Sequence, residues 1–517
     1  MSIQPGDVFG FWNPQLNAYI ACQITHIVPA DKPDGKDSYA ALMLHWTGRE
    51  LPSIDQLKQA KPLVINFYFW SDHLDHKISA GPIPPEYTYI GNFEVLVEEQ
   101  PRSYGDWNPK MYRQLQWERI LEDKRHNFKA AGKADSSQQV EIAGVMVRWG
   151  TQSLSLDRIP NLTNYTELDR LPCLTSLTVF DWSSALENYV RTHDFIYKLE
   201  LELQTAVERI DLQHTLITEF TMKPQNIHEL IVPKDMDRMT FEGSLQHDVY
   251  IKHEREGLGI TLRLNGDAVK TYRFLWGLKD LSVLELYSAD VIDLGDVIDR
   301  FPSLQSLRMW GKPGYIRGME QLYKLEQLQM FTTVDMFGFS GEQFPHPHQL
   351  PQLHTLWLTS LPDDAAKTIK QAYKQAAKQG LDLSVHQPRK PDWLADNLDN
   401  PFRAWDGRDG ITPVQAKKAA SLYKQIRGQL REFAAQAQTG EMSSKDVQLQ
   451  LEHTFSTYIE GFNKLDKRKV FIYTEEREEI LGALTPLISG LVKELQAIQI
   501  EIDEHSLWEY TDQLRDF

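Results

Sequence analysis

Cysteine is nearly absent from the chain: Cys22 and Cys173 are the only two among 517 residues. Two thiols cannot staple a small secreted domain, nor build a zinc site that needs several thiolates. Each lies in an apolar pattern and reads as a small buried hydrophobe. Long apolar runs are missing too. The longest candidate, Leu63 to Trp70, is interrupted by Asn66 and falls far short of the ~18 apolar residues of a membrane span. The opening Met1-Ser2-Ile3-Gln4-Pro5-Gly6-Asp7 has neither a basic nor an apolar leader region, so no signal peptide, no membrane partner and a cytoplasmic location are expected. Positive charge is the minority sign, with 55 Lys and Arg against 72 Asp and Glu and a net charge of −17. Such a chain repels a phosphate backbone unless one local face is basic, so no nucleic-acid partner is expected.

Catalytic signatures are lacking as well. There is no Gly-x-Ser-x-Gly elbow, P-loop, dinucleotide glycine fingerprint or His-Glu-x-x-His, and His253-Glu254 is followed by Arg-Glu-Gly without a second histidine. Asp72-His73-Leu74-Asp75-His76 has no third ligand nearby, and Pro345-His346-Pro347-His348 with His354 reads as a stiff solvated turn. No catalytic residue, metal or cofactor is assigned, and the chain reads as a non-enzyme. What is present is ample core material, 41% hydrophobic against 25% charged residues, enough for several soluble domains. The fold class expected is multidomain α+β.

Residues 1–98 read as a small β-sheet or barrel-like domain. Gly6 to Trp12, Ala18 to Val28, Tyr39 to Trp46, Leu63 to Trp70 and Ile90 to Val97 are rich in β-branched and aromatic residues. Turn clusters at Asp31 to Gly35 and Gly81 to Pro85 separate them. Pro5-Gly6-Asp7-Val8-Phe9, Asn17 to Ile24, Lys61-Pro-Leu-Val64 and Tyr89-Ile-Gly91 resemble the immunity protein 26 group, found among proteins that neutralise bacterial polymorphic toxins. That resemblance implies binding rather than catalysis. Residues 99–139 read as a helical connector ending in a linker at Gly132 to Gln139.

Between about 140 and 361 an apolar triad recurs at i, i+3 and i+5. It occurs as Leu281/Leu284/Leu286, Leu304/Leu307/Met309, Leu325/Leu328/Met330 and Leu353/Leu356/Leu358, at intervals of 23, 21 and 28 residues. Weaker copies are Leu174/Leu177/Val179, Ile196/Leu199/Leu201, Val207/Ile210/Leu212 and Ile227/Leu230/Val232. One interval there is only 11 residues, so either the array is irregular or one copy is out of register. The spacing resembles leucine-rich repeats, which implies a solenoid of stacked parallel strands over 140–388 with a capping helix from Pro362 to Gly380 and a last strand at Leu381 to Val385.

Strand alternation then predicts the concave lining. One row is Glu285, Arg308, Gln329 and Trp357; the next is Tyr287, Trp310, Phe331 and Thr359, an aromatic stripe. Glu200, Glu202 and Asp211 fall at the corresponding upstream positions and predict an acidic half suited to a basic partner. The stripe either meets a partner or is covered by a following loop or the C-terminal helices.

Residues 389–517 read as an ordered loop and a helical bundle. The aspartates between Pro391 and Gly410 lack the glycine and final Glu of an EF-hand, and Asp399, Arg403, Asp406 and Arg408 are expected to pair among themselves. Three helices follow, from Pro413 to Gln438, from Ser443 or Ser444, and from Thr474, each with an apolar seam at spacings of three and four. The function expected is that of a cytoplasmic bacterial immunity-type protein, a partner in a toxin–antitoxin pair, that occludes a protein partner, a basic toxin domain, through Tyr287, Arg308, Trp310, Phe331, Trp357, Glu285, Glu200 and Glu202. A scaffold or sensor subunit of a larger complex is the alternative, and an enzyme with a site in the N-terminal β domain the second.

Overall fold

The computed structural model describes residues 3–29, 37–79, 83–105, 107, 110–223, 227–397, 400–437, 444–468, 470–498, 500 and 502–517. The expected turns at Asp31 to Gly35 and at Gly81, together with Asp399, Gln438 and the Ser443 cap, lie outside them. The chain divides into two compact units: Met1–Thr359 with Asp364–His386, and Ser360–Asp363 with Gln387–Phe517. No described helix is long and apolar enough to cross a membrane.

The first unit opens with a six-stranded sheet whose centre is an antiparallel meander of Asp7–Asn13, Ala18–Val28 and Ser38–Gly48. Alternation sends Phe9, Phe11, Ile20, Cys22, Ile24 and Met43 to one face, where Trp117 and Phe128 close the core. Val8, Ala21 and Leu44 face the other way, onto Leu57 of the short helix Ile54–Gln59. Burial pushes the Cys22 thiol up to about 12.

Leu63 to Trp70 is not the full strand its composition suggests. Only Val64–Ile65 pairs, after which Tyr68 adopts a left-handed φ of +48°. Lys129 Nζ donates to the carbonyl of Trp70 at 2.7 Å and to that of Tyr68, holding groups that a neighbouring strand would otherwise bind. The helices Met111–Arg119 and Glu122–Gly132 do not stand off as a connector. Their Trp117 and Phe128 pack with Cys173 and Phe195 as well as with Phe9 and Phe11, so the β domain and the start of the repeats share one core. Gly132 to Gln139 is likewise no loose tether: Ala134 N donates to Ala131 O, and Trp149 N donates to Gln138 O.

The repeats build a sheet of eleven strands, in the order in which they occur along the chain, from Ser153–Ser155 to Asp382–Arg389. Pairing is parallel from Ser153 to Thr359, and the register slips only beyond Tyr287 and Trp310. One inward row runs Leu177, Leu199, Phe220, Met239, Leu262, Leu284, Leu307, Phe331, Leu356, and every member is buried. No single strand could bury such a face alone; stacking makes the core continuous.

This register corrects the sequence reading in two places. The third strong copy is Leu328/Phe331/Thr333, not Leu325/Leu328/Met330, because Leu307 pairs with Phe331 and Met309 with Thr333. Phe331 is therefore a core residue, 0% exposed, and Gln329 lies outside the outward row. The anomalous interval has an equally simple origin. Val207/Ile210/Leu212 and Ile227/Leu230/Val232 belong to a second parallel sheet of four strands, Arg209–Asp211, Glu229–Ile231, Val249–Lys252 and Leu275–Trp276, which alternate along the chain with strands of the long sheet. Asp211 sits there, away from the predicted surface.

A recurring corner follows the long-sheet strands from Arg238–Glu242 to Thr355–Pro362. Gly243, Gly266, Ser288, Asp335 and Ser360, each seven positions after the first triad residue, have φ of +93°, +58°, +61°, +53° and +55°. Gly311 occupies the same place, where a Cβ would stand 2.1 Å from Asp335 O, so a side chain is excluded there.

In the second unit, the helices Pro413–Ala437, Ser444–Asp466 and Thr474–Gln496 share one hydrophobic cluster with Phe402 and Trp405. A fourth helix, Glu504–Gln513, contributes Leu507 and was not expected. Asp406 and Arg408 find partners outside the four expected loop charges. Asp406 Oδ2 accepts from Arg389 Nη1 at 2.5 Å and from Trp393 Nε1 at 3.1 Å. Arg408 Nη2 donates to Glu479 Oε1 at 2.7 Å, and its Nη1 lies 3.3 Å from Glu476 Oε1. The helix beneath the loop supplies the carboxylates, which a reading confined to the loop could not find.

Candidate functional site

With the inward rows assigned, the outward side of the long sheet follows from strand alternation. Its central row is Glu200, Thr221, Thr240, Arg263, Glu285, Arg308, Thr332 and Trp357. The row beside it is Glu242, Asn265, Tyr287, Trp310, Val334 and Thr359. Glu285, Arg308 and Trp357 thus share one row and Tyr287 and Trp310 the next, with Thr332 and Val334 in place of Gln329 and Phe331.

Register brings Tyr287 and Trp310 together as a flat stack, with centroids 4.3 Å apart and planes 4° from parallel. The Arg263 guanidinium lies 4.9 Å from the Tyr287 ring centre, close enough for attraction to the ring face. The same guanidinium donates from Nε and Nη2 to Glu285 Oε2 at 2.9 and 2.8 Å, while Arg308 Nη1 donates to Oε1 at 3.2 Å. Glu285 is only 5% exposed, and two guanidiniums clamp it. Trp357, 43% exposed, follows Thr332 in the row.

The upstream half is less acidic than expected. Lys223 Nζ donates to Glu202 Oε1 at 2.7 Å, a bond that holds the ammonium above its ordinary value. Lys198 and Arg238 share that side of the sheet with Glu219, in the row flanking Glu200. Charge here is interleaved, so Glu200 and Glu202 make no acidic field.

Arg263, Ser306 and Thr332 escaped the sequence reading, and Met330, read there as a triad residue, pairs with Ser306. The copy that carries Arg263 has Gly259 and Leu262 where the strong copies have two leucines, and the wrong third triad displaced Thr332. A Gly, Ser or Asp seven positions after the triad start, Gly266 and Asp335 in these two copies, is the signal that finds both.

Elsewhere in the first unit, a groove of about 770 Å³ runs along the ends of the four-stranded sheet, past His214, Asp235 and His253. His253 is fully engaged: Nε2 lies 3.1 Å from Lys234 O, and Nδ1 accepts from Gly257 N at 3.0 Å. Among the described residues no three His, Cys, Asp or Glu side chains gather as a metal site. Against protein-family models, curated proteins and solved structures alike, the chain shows no significant match.

Proposed function

We propose that the chain is a non-enzymatic binding protein that recognises a protein partner through the outward side of its long sheet. The observation that carries this reading is the stacked Tyr287–Trp310 pair beside the Arg263–Glu285–Arg308 clamp, with Trp357 exposed on the same side. Exposed Trp, Tyr and Arg dominate interface energetics, at about 2 kcal/mol or more each on truncation. Side chains already held in place give up little entropy on association, which favours binding further. In this reading residues 140–388 form a leucine-rich-repeat solenoid, with the helix Asp363–Lys378 as its cap, and 389–517 a helical bundle. The resemblance of residues 1–98 to the immunity protein 26 group makes the partner a toxin domain, neutralised by steric occlusion.

The experiment is co-purification with the product of the adjacent gene, followed by titration of Trp310→Ala and Trp357→Ala. Weakened binding in both variants supports the reading. Undiminished binding in both removes this surface from it.

A further inference from the structure

Along the central outward row, charge alternates from strand to strand through Arg263, Glu285 and Arg308, and the next position, Thr332, is uncharged. Glu285 satisfies Arg308 on one side only. On the other, Arg308 Nη2 meets the Met330 thioether, with Sδ at 3.1 Å, and a thioether is a weak acceptor. Arg308 Nε is buried with no hydrogen-bond partner, and so are Ser306 Oγ and Thr332 Oγ1. Ser306 lies two residues before Arg308 on the same strand face, Thr332 lies directly across from it, and they are 8% and 9% exposed.

Buried polar atoms without partners are costly and uncommon. Three of them around one half-used guanidinium describe an acceptor that this chain does not itself supply. Nε and Nη2 form the edge of the guanidinium that takes both oxygens of one carboxylate. Two hydroxyls beside it can donate to the same oxygens. The Arg308 side chain is 36% exposed, and unbranched, flexible Met330 against Nη2 is a cover that can swing aside. Two guanidiniums share one carboxylate here, so the Arg263–Glu285–Arg308 cluster carries one positive charge in excess, which favours an acid over a base as the missing group.

The geometry points to a carboxylate subsite: an Asp or Glu side chain of the protein partner lies over Thr332, is received by Arg308 Nε and Nη2 and by the hydroxyls of Ser306 and Thr332, and continues the alternation as a fourth charge beside Trp357. This rests on the reading of the outward side as a protein-binding surface and names the chemistry that one position of it selects.

The test uses the full chain and a random dodecapeptide display library. Enriched sequences are synthesised with amidated C-termini, so that side chains hold the only carboxylates. The expected result is a recurrent Asp or Glu whose replacement by the amide weakens binding about tenfold, as loss of a charge-assisted bidentate pair does. Thr332→Val is expected to weaken the acidic peptide severalfold while leaving the melting temperature of the free chain unchanged or higher, because it deletes an unpartnered hydroxyl. Arg308→Met is expected to abolish the preference for acid over amide.

Enrichment without acidic residues overturns the subsite. So does an acid-to-amide replacement with no effect, or a preference that survives both variants. Peptides that lose binding in Trp310→Ala but ignore the acid leave the surface reading standing and remove only the subsite. Peptides indifferent to Trp310→Ala, Trp357→Ala and Arg308→Met together remove both.

Discussion

Tyr287 and Trp310, on neighbouring strands, lie face to face with ring centroids 4.3 Å apart. The stack is a direct consequence of register, because parallel strands ~4.8 Å apart set equivalent side chains at nearly the stacking distance. The same register places Arg263 and Arg308 on either side of Glu285, so aromatic and ionic features form two parallel rows.

Phe331 and Trp357 separate core from surface. Phe331→Ala is expected to cost about 3–5 kcal/mol in urea denaturation, since it opens a cavity in the inward row. Trp357→Ala, outward and partly exposed, is expected to cost under about 1 kcal/mol of stability. The reverse order would mean that the third repeat is registered on Met330 after all.

Thr333 occupies an inward position between Met309 and Leu358, and its hydroxyl is buried without a partner. Thr333→Val keeps the shape and removes the stranded polar group, so stability is expected to rise by about 1 kcal/mol. Parallel denaturation curves of the two proteins measure the shift in midpoint.

Glu285 lies in the opposite situation, with both carboxylate oxygens bonded. Glu285→Ala leaves two guanidiniums without their shared acceptor and is expected to cost about 2 kcal/mol. Water reaches both arginines, each about a third exposed, which keeps the loss below that of a fully buried pair. Restoration of most of the lost stability by high salt would contradict a loss that is local to the clamp.

Acid lability is expected from two histidines of the first unit. Burial, and then the charge of His26, lowers His76 to about 4. Its Nε2 lies 2.7 Å from Thr25 Oγ1. Burial also lowers His193 to about 4 against the pull of Asp169 and Asp194. Its Nδ1 accepts from Phe195 N and Ile196 N. A histidine whose folded value lies below the ordinary 6.5 takes up its proton more readily in the unfolded chain. Its contribution is therefore complete above pH 6.5 and is lost as the pH falls from there towards 4. Melting temperature against pH should decline through that window, and His76→Gln should make the decline shallower.

How much of this could be read from residues alone varied with the length of the pattern. Leu284, Leu286, Leu307, Met309, Leu356 and Leu358 announce their strands because large apolar residues recur at a spacing that stacking alone explains. Phe331 was misread because Leu325, Leu328 and Met330 satisfy the same three-point template, while the true copy places Thr333 in the core. Period-2 alternation cannot separate two registers that differ by a few residues when both offer hydrophobes. The Val207 and Ile227 copies were real strands assigned to the wrong sheet, since an apolar triad does not say which wall of a stack it faces. Partners of Asp406 and Arg408 were out of reach for another reason: Arg389, Trp393, Glu476 and Glu479 come from segments that only the fold brings together. Glu285 and Arg308 were found as neighbours, but Arg263, which completes their clamp, was hidden in a copy with Gly259 at its first position.

The most direct measurement is the affinity of the full chain for the product of the adjacent gene, by calorimetric titration, before and after Trp310→Ala. Trp310 sits at the centre of the stack, and its loss is predicted to weaken binding by tenfold or more, about 1.4 kcal/mol, with the melting temperature little changed. Full affinity in the Trp310→Ala protein would contradict recognition through this side of the sheet.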